Sequence, residues 1–190
     1  MSPLEIKPLR ILDFDIEARP LSYLGADFTT RDVTGIACSF VGSDEEFCWL
    51  LGDVSYTDML QGFREKYDQA DMVTGHYIRN YDLPTLNGAM LEHGLPGLSA
   101  KLSSCTKNDL SKLIGVSKSQ ESLAAMLGID APKIQMTQAD WRSANRLEPQ
   151  GLSKTKARVL GDIRQHKAMR KELIRRGLLG PPRMWRPAHA

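Results

Sequence analysis

Residues 10–17, RILDFDIE, constrain the fold more than any other segment of the chain. Leu12, Phe14 and Ile16 alternate with Asp13, Asp15 and Glu17. That is the two-residue period of a strand with one apolar and one acidic face. The apolar face has to be buried against helices or a second sheet. Asp15 and Glu17 leave the other face roughly 6–7 Å apart along the backbone, within joint reach of one hard cation that prefers oxygen ligands. The same pattern also describes a strand that shows its acids to water, and Asp13 on that face points to this plainer reading.

The rest of the chain builds a mixed α/β arrangement around this strand. VTGIACSFVG (33–42) and EFCWLLG (46–52), joined by Ser43-Asp44-Glu45, extend it as an antiparallel meander. Met59, Leu60 and Phe63 recur at helical spacing, and DMVTG (71–75) reads as a short buried strand. A helix starts near Asp82, with Pro84 in its first turn and Gly94 at its close. Residues 100–106 suit another strand. In the helix SQESLAAMLGI (119–129), either Ser119 caps alone or Ser117 and Gln120 form a capping box. A loop through Pro132 and Trp141 leads to a last helix over 152–176, stopped by Gly177 and Pro181-Pro182. With 190 residues, one domain over 1–180 and an irregular tail over 181–190 are expected.

Charge is unevenly distributed. Residues 151–190 hold eleven Lys/Arg against two acids, which leaves fourteen basic and twenty-one acidic residues in positions 1–150. A basic segment attracts phosphate backbones, and it equally describes a solvated helix face. Three cysteines (Cys38, Cys48 and Cys105) with no CxxC spacing argue against a disulfide frame or a zinc site and for a reducing compartment. There is no apolar run of signal-peptide or membrane-spanning length. A cytoplasmic location and no membrane partner are the expectation.

Three further residues carry chemistry. Asp82 follows GHYIRNY at a helix start, where an aspartate serves as an N-cap or as a ligand. Asp162 falls in the sector of the last helix that holds Val159, Ile163, Met169 and Leu173. An acid on a core-facing sector is costly unless it is paired, hydrogen-bonded or bound to metal. His166, one turn on, shares that sector and is either a packed histidine or a functional one.

Together these segments resemble the DEDD, or DnaQ-like, 3′–5′ exonuclease superfamily. The first motif is Asp15-Ile16-Glu17, and the second is the GHN-like stretch Gly75-His76-Tyr77 leading to Asp82 and Pro84. SLAAMLGI is similar to the Leu-rich helix that precedes the third motif, and the third-motif aspartate matches Asp162. The resemblance implies a ribonuclease-H-like α/β fold, with a mixed five-stranded sheet flanked by helices. It also implies two divalent ions, Mg²⁺ or Mn²⁺, held by Asp15, Glu17, Asp82 and Asp162, and hydrolysis at 3′ ends of nucleic acid. Single-stranded DNA is the expected substrate ahead of RNA, and replication proteins are expected partners. The other reading of the same fold is a weakened nucleic-acid-binding or replisome-docking module.

The family carries a Tyr four residues before the last aspartate or a His five before. Arg158 and Ala157 stand there instead. His166 is therefore the expected substitute proton acceptor, with Arg158 on the scissile phosphate and Tyr77 and Tyr81, with Trp141, on terminal bases. The helix DIRQHKAMRKELIRRG is also similar to those of small nucleases encoded by bacteriophages of actinobacteria.

Overall fold

The computed structural model describes residues 8–21, 30–131 and 133–187. Strand β1 (Ile11–Leu21) runs through the middle of a six-stranded sheet. It pairs antiparallel with β2 (Thr30–Phe40), which pairs antiparallel with β3 (Phe47–Leu50). On its other side it pairs parallel with β4 (Met72–Gly75), followed by parallel β5 (Lys101–Cys105) and antiparallel β6 (Arg183–Trp185). The order is β3-β2-β1-β4-β5-β6. Among the described residues, no helix is long and apolar enough to cross a membrane.

The alternation in β1 sets the layers. Leu12, Phe14 and Ile16 pack into one cluster with Met59, Leu60 and Phe63 of α1 (Tyr56–Gln69) and Leu83, Leu86 and Met90 of α2 (Asp82–Glu92). Fully burying each such side chain contributes about 1.5–3 kcal/mol. The acidic face of β1 is covered as well. Helix α6 (Pro149–Arg175) crosses it, with Val159 and Ile163 packed on Ala37 and Leu50. Its C-terminal half lays Met169 and Leu173 on Leu110 and on Leu123 of α4 (Gln120–Met126). Asp13, read from the sequence as favouring solvent exposure, is therefore completely buried.

Several local expectations change. The N-cap of α4 is Ser119, whose Oγ accepts from the Ser122 amide at 3.2 Å. Asp82 is the first residue of α2 and Tyr81 its cap, so Asp82 is not the N-cap. The stretch around Trp141, expected as loop, forms α5 (Gln138–Asn145), nucleated by a capping box between Thr137 and Asp140. A single turn, α3 (Thr106–Asp109), follows β5. The tail expected to be irregular supplies β6, so the sheet has six strands where five were expected.

Two details shape the carboxyl end of β1. Strand β4 pairs with β1 only as far as Asp13↔Thr74 and then stops. The two parallel strands part there, the kind of place where open α/β sheets form clefts. A register shift lies between Glu17 and Ala18, paired with Gly35 and Val33, and leaves Thr34 as the extra residue of a bulge. Its hydroxyl donates to the Glu17 carbonyl at 3.2 Å.

Gly75 sits where β4 departs. A Cβ there would collide with Ile78 and come within 2.7 Å of the Phe14 carbonyl oxygen. Gly75→Ala should destabilise the protein by about 1–3 kcal/mol, read as a lower urea midpoint at unchanged slope. An unaltered midpoint would show that this close approach is not a constraint.

Candidate active site

The four carboxylates arrive from three separated elements at one cleft of about 330 Å³. Asp15 and Glu17 come from β1, Asp82 from the start of α2 and Asp162 from the middle of α6. Ligand oxygens of Asp15, Glu17 and Asp162 all lie within 4.8 Å of one another. Asp82 lines the same cleft. Its carboxylate accepts hydrogen bonds from its own amide and from that of Ile16, the residue between the two β1 ligands. The stop in β4 leaves that stretch of β1 without a neighbouring strand on this side.

Crowding shows in the acids' proton affinities. Burial, then the charges of Asp82, Asp162 and Glu17, push Asp15 well above the ordinary carboxylate range. Asp82 is pushed up to about 7, chiefly by burial. Burial also raises Glu17, against the lowering effect of Arg158. Two cations partly offset this cluster. Lys133 Nζ lies 2.9 Å from Asp162 Oδ2, and Arg158 donates through Nε to Glu17 and through Nη1 to the Ile134 carbonyl, the latter at 2.8 Å. Asp162 Oδ1 remains buried without a hydrogen-bond partner. An orphaned carboxylate oxygen, in a set of all-oxygen donors that repel one another, is what a hard divalent cation would satisfy.

The cleft also contains groups that the sequence did not single out. His76 lines it, with Nε2 on the Lys118 carbonyl and Nδ1 on Thr106 Oγ1, both at 2.9 Å. Burial and the neighbouring His166 lower it to about 4, so it is neutral at pH 7. Gln120 donates to the Asp162 carbonyl at 2.8 Å and fixes the middle of α6. Lys133 gave no signal in the sequence beyond its place in a loop. His76 stood inside the GHYIRNYD stretch without a role.

Tyr77 and Tyr81 both line the cleft. Tyr77 has φ +71°, a left-handed backbone uncommon for a bulky residue, and its carbonyl accepts from the amides of Asn80 and Tyr81 at 3.1 Å. The Lys107 ammonium sits 4.1 Å from its ring centroid. Trp141 does not line the cleft, and the guanidinium groups of Arg19 and Arg158 lie 5.6 and 5.5 Å from its ring centroid.

One expectation fails. His166 does not line the cleft. It is 2 % exposed, with Nδ1 at 2.8 Å from both Asp13 oxygens and Nε2 at 3.3 Å from Thr106 Oγ1. Both ring nitrogens are engaged, so it cannot take a proton from a water in the cleft. Arg158, expected on the scissile phosphate, lines the cleft and is held there by Glu17 and the Ile134 carbonyl.

No family model matches the sequence, and no curated protein matches it. Among solved structures, the chain is similar to the family B DNA polymerase from the hyperthermophilic archaeon Pyrobaculum calidifontis, with a TM-score of 0.70 and 16% identity. The match covers 88% of this chain and 25% of that one, so the chain spans about a quarter of the polymerase's length. At that identity the likeness concerns the fold, which is the ribonuclease-H-like mixed α/β arrangement.

The raised carboxylates set a pH dependence. The folded state holds these protons to higher pH than the unfolded chain does. The stabilising contribution is therefore fully present below the unfolded value near 4 and is lost as pH rises through about 7, the folded value of Asp82. Metal-free protein should melt roughly 5–10 °C lower at pH 8 than at pH 5. Mg²⁺ should restore much of the loss, and Asp82→Asn should flatten the slope. A melting temperature that climbs over this range in metal-free buffer would contradict the self-repelling cluster.

Proposed function

We propose that this chain is a metal-dependent 3′–5′ exonuclease of the DEDD type, hydrolysing phosphodiester bonds at 3′ ends of nucleic acid, DNA in preference to RNA. The observation that carries this reading is the convergence of Asp15, Glu17 and Asp162 within 4.8 Å, with Asp82 in the same cleft. Asp15, Glu17 and Asp162 would hold one divalent ion, Mg²⁺ or Mn²⁺, and Asp15 with Asp82 a second. A pair of such ions, when bound, lowers the pKa of the attacking water and stabilises the leaving oxygen.

The chain's own residues supply orientation and charge. The amide of Ile16 and the bulge after Glu17 aim the acids of β1 and α2 toward each other. Arg158 holds Glu17 in place and lines the cleft, within reach of a phosphate there. Lys133, paired with Asp162 in the cleft, would serve as a counter-charge for phosphate with Asp162 on a cation. Tyr77, partly exposed at the rim and backed by Lys107, offers a face on which a terminal base can stack.

Among the described residues of the cleft, no histidine is placed to accept the water's proton, His76 being hydrogen-bonded on both nitrogens. General-base help is typically worth about 10²–10⁴-fold, so cleavage is expected to be slow and driven by the ions. This same feature favours the second reading, a weakened nucleic-acid-binding or replisome-docking module.

Labelled single-stranded DNA, duplex DNA and RNA, incubated with Mg²⁺ or Mn²⁺, separate the two. The nuclease shortens the strand in a ladder from its 3′ end, and Asp15→Asn abolishes the ladder. Binding without shortening by either protein supports the module. Lys133→Met should bind Mn²⁺ more tightly, having lost a competitor for Asp162, yet cleave about tenfold more slowly through loss of a charge-assisted contact. Unchanged metal affinity and rate would remove Lys133 from the site.

A further inference from the structure

Beneath the cleft runs a chain of buried polar groups that the proposed chemistry leaves unused. His76 Nε2 meets the Lys118 carbonyl at 2.9 Å, and His76 Nδ1 meets Thr106 Oγ1 at 2.9 Å. Thr106 Oγ1 lies 3.3 Å from His166 Nε2, and His166 Nδ1 lies 2.8 Å from both Asp13 oxygens. Thr106, His166 and Asp13 are each 2 % exposed or less. None of these three lines the cleft.

The hydrogens along this chain have one consistent assignment. A carbonyl only accepts, so the Lys118 oxygen requires the His76 proton on Nε2, which leaves Nδ1 an acceptor. The Thr106 hydroxyl has a single hydrogen and donates it to that nitrogen, the Gly75 carbonyl at 3.4 Å being the more distant choice. Thr106 then accepts from Nε2–H of His166, whose Nδ1 lies 2.8 Å from Asp13 Oδ1. Every link has a donor and an acceptor. Thr106 occupies the centre, taking one bond and giving one.

The chain joins the elements that carry the ligands. Asp13 precedes Asp15 by two residues on one face of β1, and His166 follows Asp162 by one turn on one side of α6. His76 lies in the turn that leads from β4 to Asp82. The apolar contacts of Val159 and Ile163 hold α6 against the sheet, but such contacts are non-directional. Hydrogen bonds weaken steeply with distance and angle, so they fix the position of α6 along its own axis, where one residue of slip is about 1.5 Å.

We propose that Asp13, His166, Thr106 and His76 form a positioning relay that sets Asp162 against Asp15 and so determines how tightly the carboxylates hold a divalent cation. This rests on the metal reading given above and assigns His166 a role through Asp162 rather than on the substrate.

Thr106→Val tests it, because it removes the central hydroxyl at nearly constant volume and charge, whereas Thr106→Ser keeps the hydroxyl. Mn²⁺ binding, followed by the paramagnetic resonance signal of free Mn²⁺ without nucleic acid, should be about tenfold weaker for Thr106→Val, with Thr106→Ser staying close to wild type. Wild-type affinity in Thr106→Val overturns the relay, as does an equal loss in Thr106→Ser. If Thr106→Val shows no cooperative melt, the paired change Asp13→Leu with His166→Met replaces both members of the buried pair by apolar groups, which folded proteins tolerate. That variant should melt cooperatively and still bind Mn²⁺ about tenfold more weakly. Tight binding by it overturns the relay. A wild-type protein that binds no Mn²⁺ overturns the metal reading itself, and the relay with it.

Discussion

The mutual repulsion of four carboxylates in one cleft is the constraint around which this fold is arranged. Unpaired charges removed from water cost several kcal/mol each in practice, and the molecule meets that cost in three ways. Asp15 and Asp82 hold their protons to higher pH than ordinary carboxylates do. Lys133 and Arg158 are drawn onto Asp162 and Glu17. Backbone amides converge on Asp82. Each device offsets part of the charge, and Asp162 Oδ1 still lacks a partner. A purely structural cluster would be better built with apolar residues, since replacing buried ion pairs by well-packed hydrophobics is often neutral or stabilising. A cluster of this kind could hold a metal ion, which would complete it.

The sheet explains why the acids meet where they do. Strand β1 pairs antiparallel with β2 on one side and parallel with β4 on the other, and β4 is the neighbour that stops pairing short of Asp15. Once β4 stops at Gly75, the Ile16 amide is free to bind Asp82. The same parting of strands opens the cleft. The bulge at Thr34 then turns β1 immediately after its last ligand. Backbone pairing, not side-chain packing, thus brings Asp82 to the β1 acids.

Much of this was legible in the sequence. The alternation of RILDFDIE gave β1 and the shared face of Asp15 and Glu17. The core-facing sector of the last helix singled out Asp162 as an acid in need of a partner. What period and capping rules could not convey was which groups a covered face encloses. Asp13 read as exposed because nothing local signals that α6, more than 130 residues later, lies over it. His166 read as a proton acceptor because its place on the helix put it beside Asp162, while its partners come from β1 and from the start of α3. Helix α5 escaped notice because QADWRSAN carries no apolar stripe. Its Thr137–Asp140 box was the available signal. Lys133 belongs to an irregular loop, where neither period applies.

The basic tail is a further case in which composition and geometry diverge. Eleven Lys/Arg after residue 150 suggest a surface that tracks phosphates. Yet Arg164 pairs with Glu46, Arg175 and Arg176 both pair with Glu172, and Lys154 pairs with Asp140. Lys167 donates to Ser39 Oγ and the Ser43 carbonyl at 3.1 and 2.9 Å. Cations already matched to carboxylates are less available to neutralise phosphates and so release fewer of the counterions condensed on a polyanion. At the cleft itself the positive groups are Lys107, Lys133 and Arg158, beside the carboxylate cluster. On the nuclease reading proposed above, divalent ions held by the carboxylates would also make the cleft attractive to a polyanion, and affinity for nucleic acid would follow occupancy of the metal site rather than the charge of the tail.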